Sequence, residues 1–318
     1  MKNILLLIML VMIGEWVLAQ QLPLFTQYRE QAGIINPAAV HSDYFIYEHN
    51  VAFGGSYRKQ WVGLEAAPTT QTLQGQYMYV ERGSFSWIAG GYLINDQTGP
   101  TGFTGAYGRV AGIITDDPYY GGLSFGLSFG AVQYRVDAKE IRLRELNDII
   151  TSDNQSKIFP DFGLGAYFYR QLDGGFLDGN HVYAGVSIPQ VFGLNLEFKD
   201  DTGEFSTQRI QHFYGLLGMY AYLNDGSFLE PSVWIKYAHN VPTNIDFNLR
   251  YQMQSNFWLG TGLSTAGNFH LELGYIAIDF LQDDSSFKIG YGFDYSFSSF
   301  GPDAGSTHEI NLVYSFAY

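Results

Sequence analysis

The sequence has no cysteine. That excludes disulfides, cysteine-ligated metals and a lipid-modified cysteine at a processed N-terminus. Charge is scarce too: Asp, Glu, Lys and Arg make up 15% of 318 residues, where soluble domains carry roughly 25%. Basic residues number only 17 against 31 acidic, a net charge of -14. This is the wrong sign for nucleic acid, whose binders present basic surfaces. Long apolar runs are missing as well. The one run, Ile4 to Ile13, has ten residues, and a membrane helix needs about 20.

Glycine (37), phenylalanine (25) and tyrosine (24) are abundant, and aromatics reach 17%. Mean hydropathy is only -0.06. Many aromatics and glycines, little charge and middling hydropathy suit a barrel with one face in lipid and one in water. Lys2, the short apolar run and the small residues Val17 and Ala19 read as a secretory signal peptide over 1–19, cleaved after Ala19. With no second long apolar run, a membrane-embedded mature chain enters as strands, since only helices and closed barrels satisfy their backbone groups in lipid.

Residues 20–48 show no sustained alternation and read as a short helix or irregular segment, with a turn at Asn36-Pro37. Period two dominates residues 49–318. In NIDFNLRYQMQ, Ile245, Phe247, Leu249, Tyr251 and Met253 share one face, and Asn244, Asp246, Asn248, Arg250, Gln252 and Gln254 the other. KIGYGFDYSF and the terminal HEINLVYSFAY repeat the pattern. One greasy and one wet face is the signature of a half-solvated strand. The segments 49–60, 70–80, 84–95, 102–114, 121–137, 161–171, 181–192, 208–223, 227–239, 243–254, 256–266, 268–279, 287–299 and 307–318 give about fourteen strands. The expected fold is an all-β transmembrane antiparallel barrel with a short irregular N-terminal segment. Asp-, Asn- and Gly-rich turns alternate with some longer loops, including 138–160 and 193–207. DAKEIRLRELNDII, within the first of these, reads either as a short external helix or as a solvated loop.

The polar faces carry Arg58, Lys236, Asp246, Arg250, Glu272, Lys288, Asp294 and Glu309. Such a set either stiffens a lumen or lines a pathway, and the pattern does not separate the two. The seven histidines are scattered, without HExxH or metal spacing, and no GxSxG appears. No cofactor, metal or catalytic residue is assigned, and the expectation is a non-enzymatic protein. A membrane-embedded hydrolase would instead show a close Ser or Asp with His at the barrel's outer rim.

Two stretches carry a family resemblance. LFTQYREQAGIINPAAV, with Phe25, Gln27, Tyr28, Asn36, Pro37 and Ala38, resembles the mature start of PorP/SprF-type outer-membrane proteins. SYRKQW followed by APTT, with Tyr57, Arg58, Gln60, Trp61, Pro68 and Thr70, is similar to that family's Tyr-Arg-Asn-Gln-Trp and Pro-x-Thr elements. Lys59 departs from it, standing where Asn is common. These motifs lie within about the first 80 residues, and beyond them the resemblance is architectural.

The resemblance implies an outer-membrane component of type IX secretion in a Gram-negative bacterium, with no catalysis or cofactor. Implied partners are outer-membrane lipids, a secreted adhesin or its C-terminal domain, and periplasmic parts of the machine. The terminal Tyr318 is similar to the signal read by barrel-assembly machinery. A transport channel for small, hydrophobic substrates is the alternative. Trp61 reads either as an interfacial anchor or as part of a mouth surface. Residues 22–40 are expected to enter or underlie the barrel and dock on the hairpin bearing Arg58 and Trp61.

Overall fold

The computed structural model describes residues 24–81, 83, 85–136, 155–192, 195–200, 203–208, 210–298 and 301–318. The leader read at 1–19 and the helix read within 137–150 lie outside the described residues. Strands run in the order β1 Val51–Lys59, β2 Thr69–Tyr79, β3 Phe85–Thr98, β4 Thr101–Ile114, β5 Gly121–Val136, β6 Gln155–Gln171 and β7 His181–Ile188. A small hairpin follows, β8 Asn195–Asp200 and β9 Gly203–Gln208. Then come β10 His212–Tyr222, β11 Phe228–Ala238, β12 Asn244–Gln252, β13 Phe257–Ser264, β14 Asn268–Ile278, β15 Ser285–Ser296 and β16 Thr307–Phe316.

Fourteen of these strands close into one barrel, and β8 and β9 pair only with each other. Every barrel pair is antiparallel, and the seam joins β1 to β16, with Val51 opposite Phe316 and Lys59 opposite His308. Closure removes the sheet edges, so no row of backbone groups is left bare in lipid. Each of the fourteen segments expected from alternation corresponds to one barrel strand. Two details differ. Residues read as loop at 193–207 include the β8–β9 hairpin, and β6 starts at Gln155, inside the stretch read as loop up to 160. No described helix is long and apolar enough to cross a membrane.

The faces are inverted relative to a soluble protein. Phe247, Leu249, Leu259, Leu263, Leu271, Leu273, Ile310 and Leu312 point outward and are exposed. Asn248, Arg250, Gln252, His270, Glu272, Glu309 and Asn311, their neighbours along the strands, point inward and are buried. Because successive side chains leave a strand on opposite faces, strict alternation builds an apolar belt outside and a polar lining inside. The barrel end where β1 starts and β16 finishes carries short turns, here called the turn end. At Asn224-Asp225-Gly226, for example, Gly226 takes φ +82, and Leu223 N–H closes on Ser227 C=O at 2.8 Å. The opposite, loop end carries the connections 60–68 and 297–306 and the β8–β9 hairpin.

Candidate functional site: a lumen occupied by the N-terminal segment

Residues 24–50 run down inside the barrel from the loop end to the turn end, where they feed β1. Tyr28–Gln31 form one 3-10 turn, α1 covers Ala32–Ile35, and α2 covers Ser42–Tyr47. Between the helices the chain turns at Asn36-Pro37. Ala39 N–H donates to Asn36 C=O at 3.0 Å, and Asn36 Oδ1 accepts from Ala38 N–H at 2.9 Å. Pro37 thus stands at the turn position its fixed φ favours. The Asn36 side-chain amide donates outward to the carbonyls of Ala166 at 3.0 Å and Val186 at 3.3 Å. It thereby pins the turn to β6 and β7. The wall makes room with glycine: a Cβ at Gly126 would collide with the Pro37 backbone, and one at Gly165 with Asn36 Oδ1. Asp43 N–H donates to His41 Nδ1 at 3.2 Å and caps α2.

On the side of β11–β16 the segment is held by charge. Glu309 accepts the N–H groups of Thr26 and Gln27 at 2.7 and 3.1 Å, and Thr26 Oγ1 donates to Asp294 at 2.8 Å. Arg29 pairs with Glu272 and lies 3.2 Å from Glu230. Glu30 meets Arg250 at 3.2 Å and Lys288 at 2.7 Å. Lys288 also reaches Asp43 at 2.7 Å, so one cation ties two points of the segment together. Ser315 Oγ donates to Asp43 at 2.6 Å. Burial pushes the Glu30 carboxyl up, but Lys288 and Arg250 pull harder, so it lies below its ordinary value. Asp43 is lowered in the same way: burial opposes, and Lys288 more than offsets it. Burial depresses His41 below its ordinary range despite the neighbouring Asp43. These carboxylates are therefore ionised and His41 is neutral at pH 7.

On the side of β3–β7 the grip is mainly apolar, supplemented by Arg109, which donates to Ala39 C=O at 2.9 Å, and by Ser187, which donates to Ile35 C=O at 2.7 Å. Phe45 packs against Tyr169 and Tyr220 with ring centres 5.2 and 5.7 Å apart. Ala38, Ala39, Val40 and Tyr44 join Ile88, Ala111, Ile113, Tyr167 and Tyr183 in the same cluster. Above it, Phe25, Ile34 and Ile35 pack with Tyr92, Ile94, Tyr107 and Val132. Tyr28 stacks on Trp234 at 5.2 Å and donates to Ser232 at 2.5 Å; burial raises its phenol to about 12. Beside Phe25 and Tyr107 a loop-end chamber has about 40 Å³ of free space. That is room for about three waters at 10–15 Å³ each, not for a drug-sized ligand.

The residues singled out in the sequence fall into three groups. Phe25, Tyr28, Asn36 and Pro37 are in the lumen segment, and Arg250, Glu272, Lys288, Asp294 and Glu309 contact it, as above. Arg58 does so at one remove: it pairs with Asp294 at 3.1 Å and Glu309 at 3.7 Å, the two carboxylates that hold Thr26 and Gln27. Gln60 accepts from Arg58 at 2.9 Å, Gln60 N–H donates to Pro68 C=O at 2.8 Å, and Thr70 donates to Asp96 at 2.6 Å. Lys236 and Asp246 pair with each other at 2.5 Å. Tyr57 points outward and is 45% exposed. Trp61 is half-buried on the loop after β1, in the left-handed region at φ +55.

Arg29, Glu30, Asp43 and Glu230 carry much of the contact, and sequence reading did not single them out. For Arg29, Glu30 and Asp43, charge just ahead of the first strand, in a stretch without alternation, was the available signal. Among the described residues no group of His, Asp and Glu could hold a metal ion.

No curated protein matches the chain significantly. Among solved structures, the TodX deltaS2S3 mutant monoaromatic hydrocarbon channel is 12% identical, with 91% of this chain and 94% of that one covered and a TM-score of 0.50. A Pseudomonas aeruginosa FadL homologue is 8% identical over 84% and 88% of the two chains, TM-score 0.49. The translocator domain of autotransporter NalP from Neisseria meningitidis is 11% identical over 84% and 88%, TM-score 0.46. At such identity only the first likeness speaks, and it speaks for the fold alone: an outer-membrane β-barrel. The sequence itself is more specific. A family model described as type IX secretion system membrane protein PorP/SprF matches residues 17–314, so this barrel with its occupied lumen belongs to the PorP/SprF family.

Proposed function

We propose that the protein is an outer-membrane component of type IX secretion that supports export or surface anchoring of an adhesin-like protein by binding, not by conducting. The observation that carries this reading is the filled lumen. Residues 24–50 are tied to opposite walls by buried ion pairs, Arg29 with Glu272 and Glu30 with Lys288, and by the apolar clusters around Phe25 and Phe45. Pulling such a segment out strands several charges in a low-dielectric interior, at several kcal/mol each. A fixed plug leaves the mouth, the turns and the rim as the working surfaces. There the chain would hold the client's C-terminal domain or periplasmic parts of the machine, with binding as its whole contribution to secretion.

The second reading is a channel for small hydrophobic substrates, favoured by the aromatic chamber beside Phe25 at the loop end. Its free space of about 40 Å³ is small for any such solute and requires the segment to move.

The test is a pull-down of tagged protein from gently solubilised native outer membranes, with mass spectrometry of co-purifying proteins. Recovery of a large secreted protein or of secretion-machine components supports the anchor. Recovery of the folded barrel alone, together with solute-dependent uptake lost on deletion, overturns it in favour of the channel.

A further inference from the structure

On the outer wall, apart from the lumen, three side chains meet that no part of the secretion reading uses. Ser306 Oγ lies 2.9 Å from His308 Nε2. The other ring nitrogen, Nδ1, lies 2.5 Å from the hydroxyl of Tyr291. Strand parity places the group on the outside. On β16, Thr307, Glu309 and Asn311 are buried inward, and Ile310 and Leu312 are exposed outward; His308 shares the outward face. Tyr291 lies opposite Ile310, two register positions from the pair of His308 and Phe293 and on the same face. The cluster sits at the loop-end rim of the apolar belt, with Tyr57, Tyr295 and Phe297 exposed around it. Aromatic rings collect at that height because it is where headgroups meet acyl chains.

The local backbone holds the serine in place. Gly305, just before it, takes φ +83, which a side chain would strain. Ser306 C=O accepts from Val62 N–H at 2.9 Å, and Ala304 C=O from Gly63 N–H at 3.0 Å. Two loops are thus zipped beneath Ser306. A hydroxyl within hydrogen-bond reach of an imidazole, whose far nitrogen is oriented by a third group, is the arrangement that activates a nucleophile. The exposed Lys59, opposite His308 in the register, brings a cation to the same height for a developing oxyanion.

We propose that Ser306, His308 and Tyr291 form a hydrolytic site for carboxylic esters of lipids at the membrane interface. In the competent tautomer Nδ1–H donates to the Tyr291 oxygen, and Nε2 accepts the Ser306 proton. Oγ bonds to the ester carbonyl carbon as its proton passes to Nε2. The bond to the leaving alcohol breaks as Nε2 returns that proton to the departing oxygen. Water, deprotonated by Nε2, then attacks the acyl carbon, the bond to Oγ breaks as Nε2 passes that proton to Oγ, and the fatty acid leaves with Ser306 restored. Tyr291 is a positioning residue. Its hydroxyl orients the imidazole but carries no full charge, so the site is slower than one with a carboxylate in that place.

The experiment uses the full-length barrel in detergent, its folding checked by heat-modifiable gel mobility. A fluorophosphonate probe reports the nucleophile, and p-nitrophenyl butyrate in mixed micelles reports turnover. The wild type is expected to be labelled at Ser306. Ser306→Ala and His308→Gln should lower turnover at least about 100-fold, the scale of a lost general base. Tyr291→Phe should lower kcat less and leave KM unchanged, because it loosens the imidazole without touching the ester. Ser306→Ala removes one half-exposed hydroxyl and keeps the test valid should His308→Gln fail to fold. Phospholipid vesicles and lipopolysaccharide aggregates, assayed in parallel for fatty-acid release, identify the lipid source. Release from neither overturns the lipid assignment. Absence of label on Ser306 in the folded wild type, or equal turnover in Ser306→Ala, overturns the site itself.

Discussion

The two walls of the lumen hold the same segment by different physics. The β11–β16 wall uses Glu230, Arg250, Glu272, Lys288, Asp294 and Glu309 against Arg29, Glu30, Asp43 and two backbone N–H groups. The β3–β7 wall uses mainly tyrosines, isoleucines and alanines against Phe25, Ala38, Val40, Tyr44 and Phe45, with hydrogen bonds from Arg109 to Ala39 C=O and from Asn36 to β6 and β7. Charge sets direction and register, because an ion pair displaced by one position leaves two uncompensated ions behind. Apolar packing supplies free energy and tolerates small displacements. A segment gripped only by aromatics could slide, and one gripped only by ion pairs would gain little once desolvation is counted. The combination explains how 27 residues with just two short helices, Ala32–Ile35 and Ser42–Tyr47, keep one path through the barrel.

Removing one partner on each side separates the two contributions, with protease protection of residues 24–50 as the common readout. The largest effect is expected from Lys288→Ala. It leaves Asp43 without a Lys or Arg partner and Glu30 with Arg250 alone and should destabilise the docked segment by about 3–5 kcal/mol, leaving a folded barrel with a cleavable N-terminus. Phe45→Ala comes next, at about 3 kcal/mol for a buried ring deleted from a packed cluster. Its loss should be independent of salt and pH, unlike that of the charged wall. Equal pH sensitivity in the two variants would dissolve the distinction between the walls.

Acid is the third probe. Burial lowers His41, and likewise His49, in the folded state. A depressed histidine contributes stability that is complete above its unfolded value of about 6.5 and is lost as pH falls toward the folded value. Glu30 and Asp43, also lowered, contribute above their unfolded values near 4 and lose that contribution below them. Protection should therefore fall modestly between pH 7 and 5 and steeply below about pH 4. A flat profile over both ranges contradicts the charge-based grip.

The smallest effects test the hairpin after β1. Arg58→Ala acts through Asp294 and Glu309 and should loosen the segment by about 2 kcal/mol. Trp61→Ala, at a half-buried loop position, should leave protection unchanged. The double variant would then match Arg58→Ala alone. Unchanged protection in the double variant would falsify the indirect docking through Arg58.

NIDFNLRYQMQ announces a strand with one wet face because alternation is a local property, set by where each Cβ points. The same arithmetic at fourteen places implies a barrel, since lipid outside and polar groups inside admit only closure. Arg250 and Lys288 were legible as inward-facing, yet nothing in the pattern said that Glu30 would sit between them, 220 and 258 residues away in sequence. Trp61 and Arg58 are neighbours in one motif, but a strand end divides them: Arg58 faces the lumen, and Trp61 lies on the loop. The β8–β9 hairpin was missed because it pairs only with itself, outside the repeating pattern of the barrel.

The strand count, the inward and outward faces and, through its motifs, the family are legible in the order of residues alone. These follow from local periodicity and composition, which need no knowledge of partners across space. That residues 24–50 fill the lumen, that Lys288 bridges Glu30 and Asp43, and that Ser306 meets His308 and Tyr291 on the outer wall emerges with the folded barrel. Those contacts depend on closure and shear of the barrel, which bring distant strands to one height, and no short window of sequence encodes that geometry.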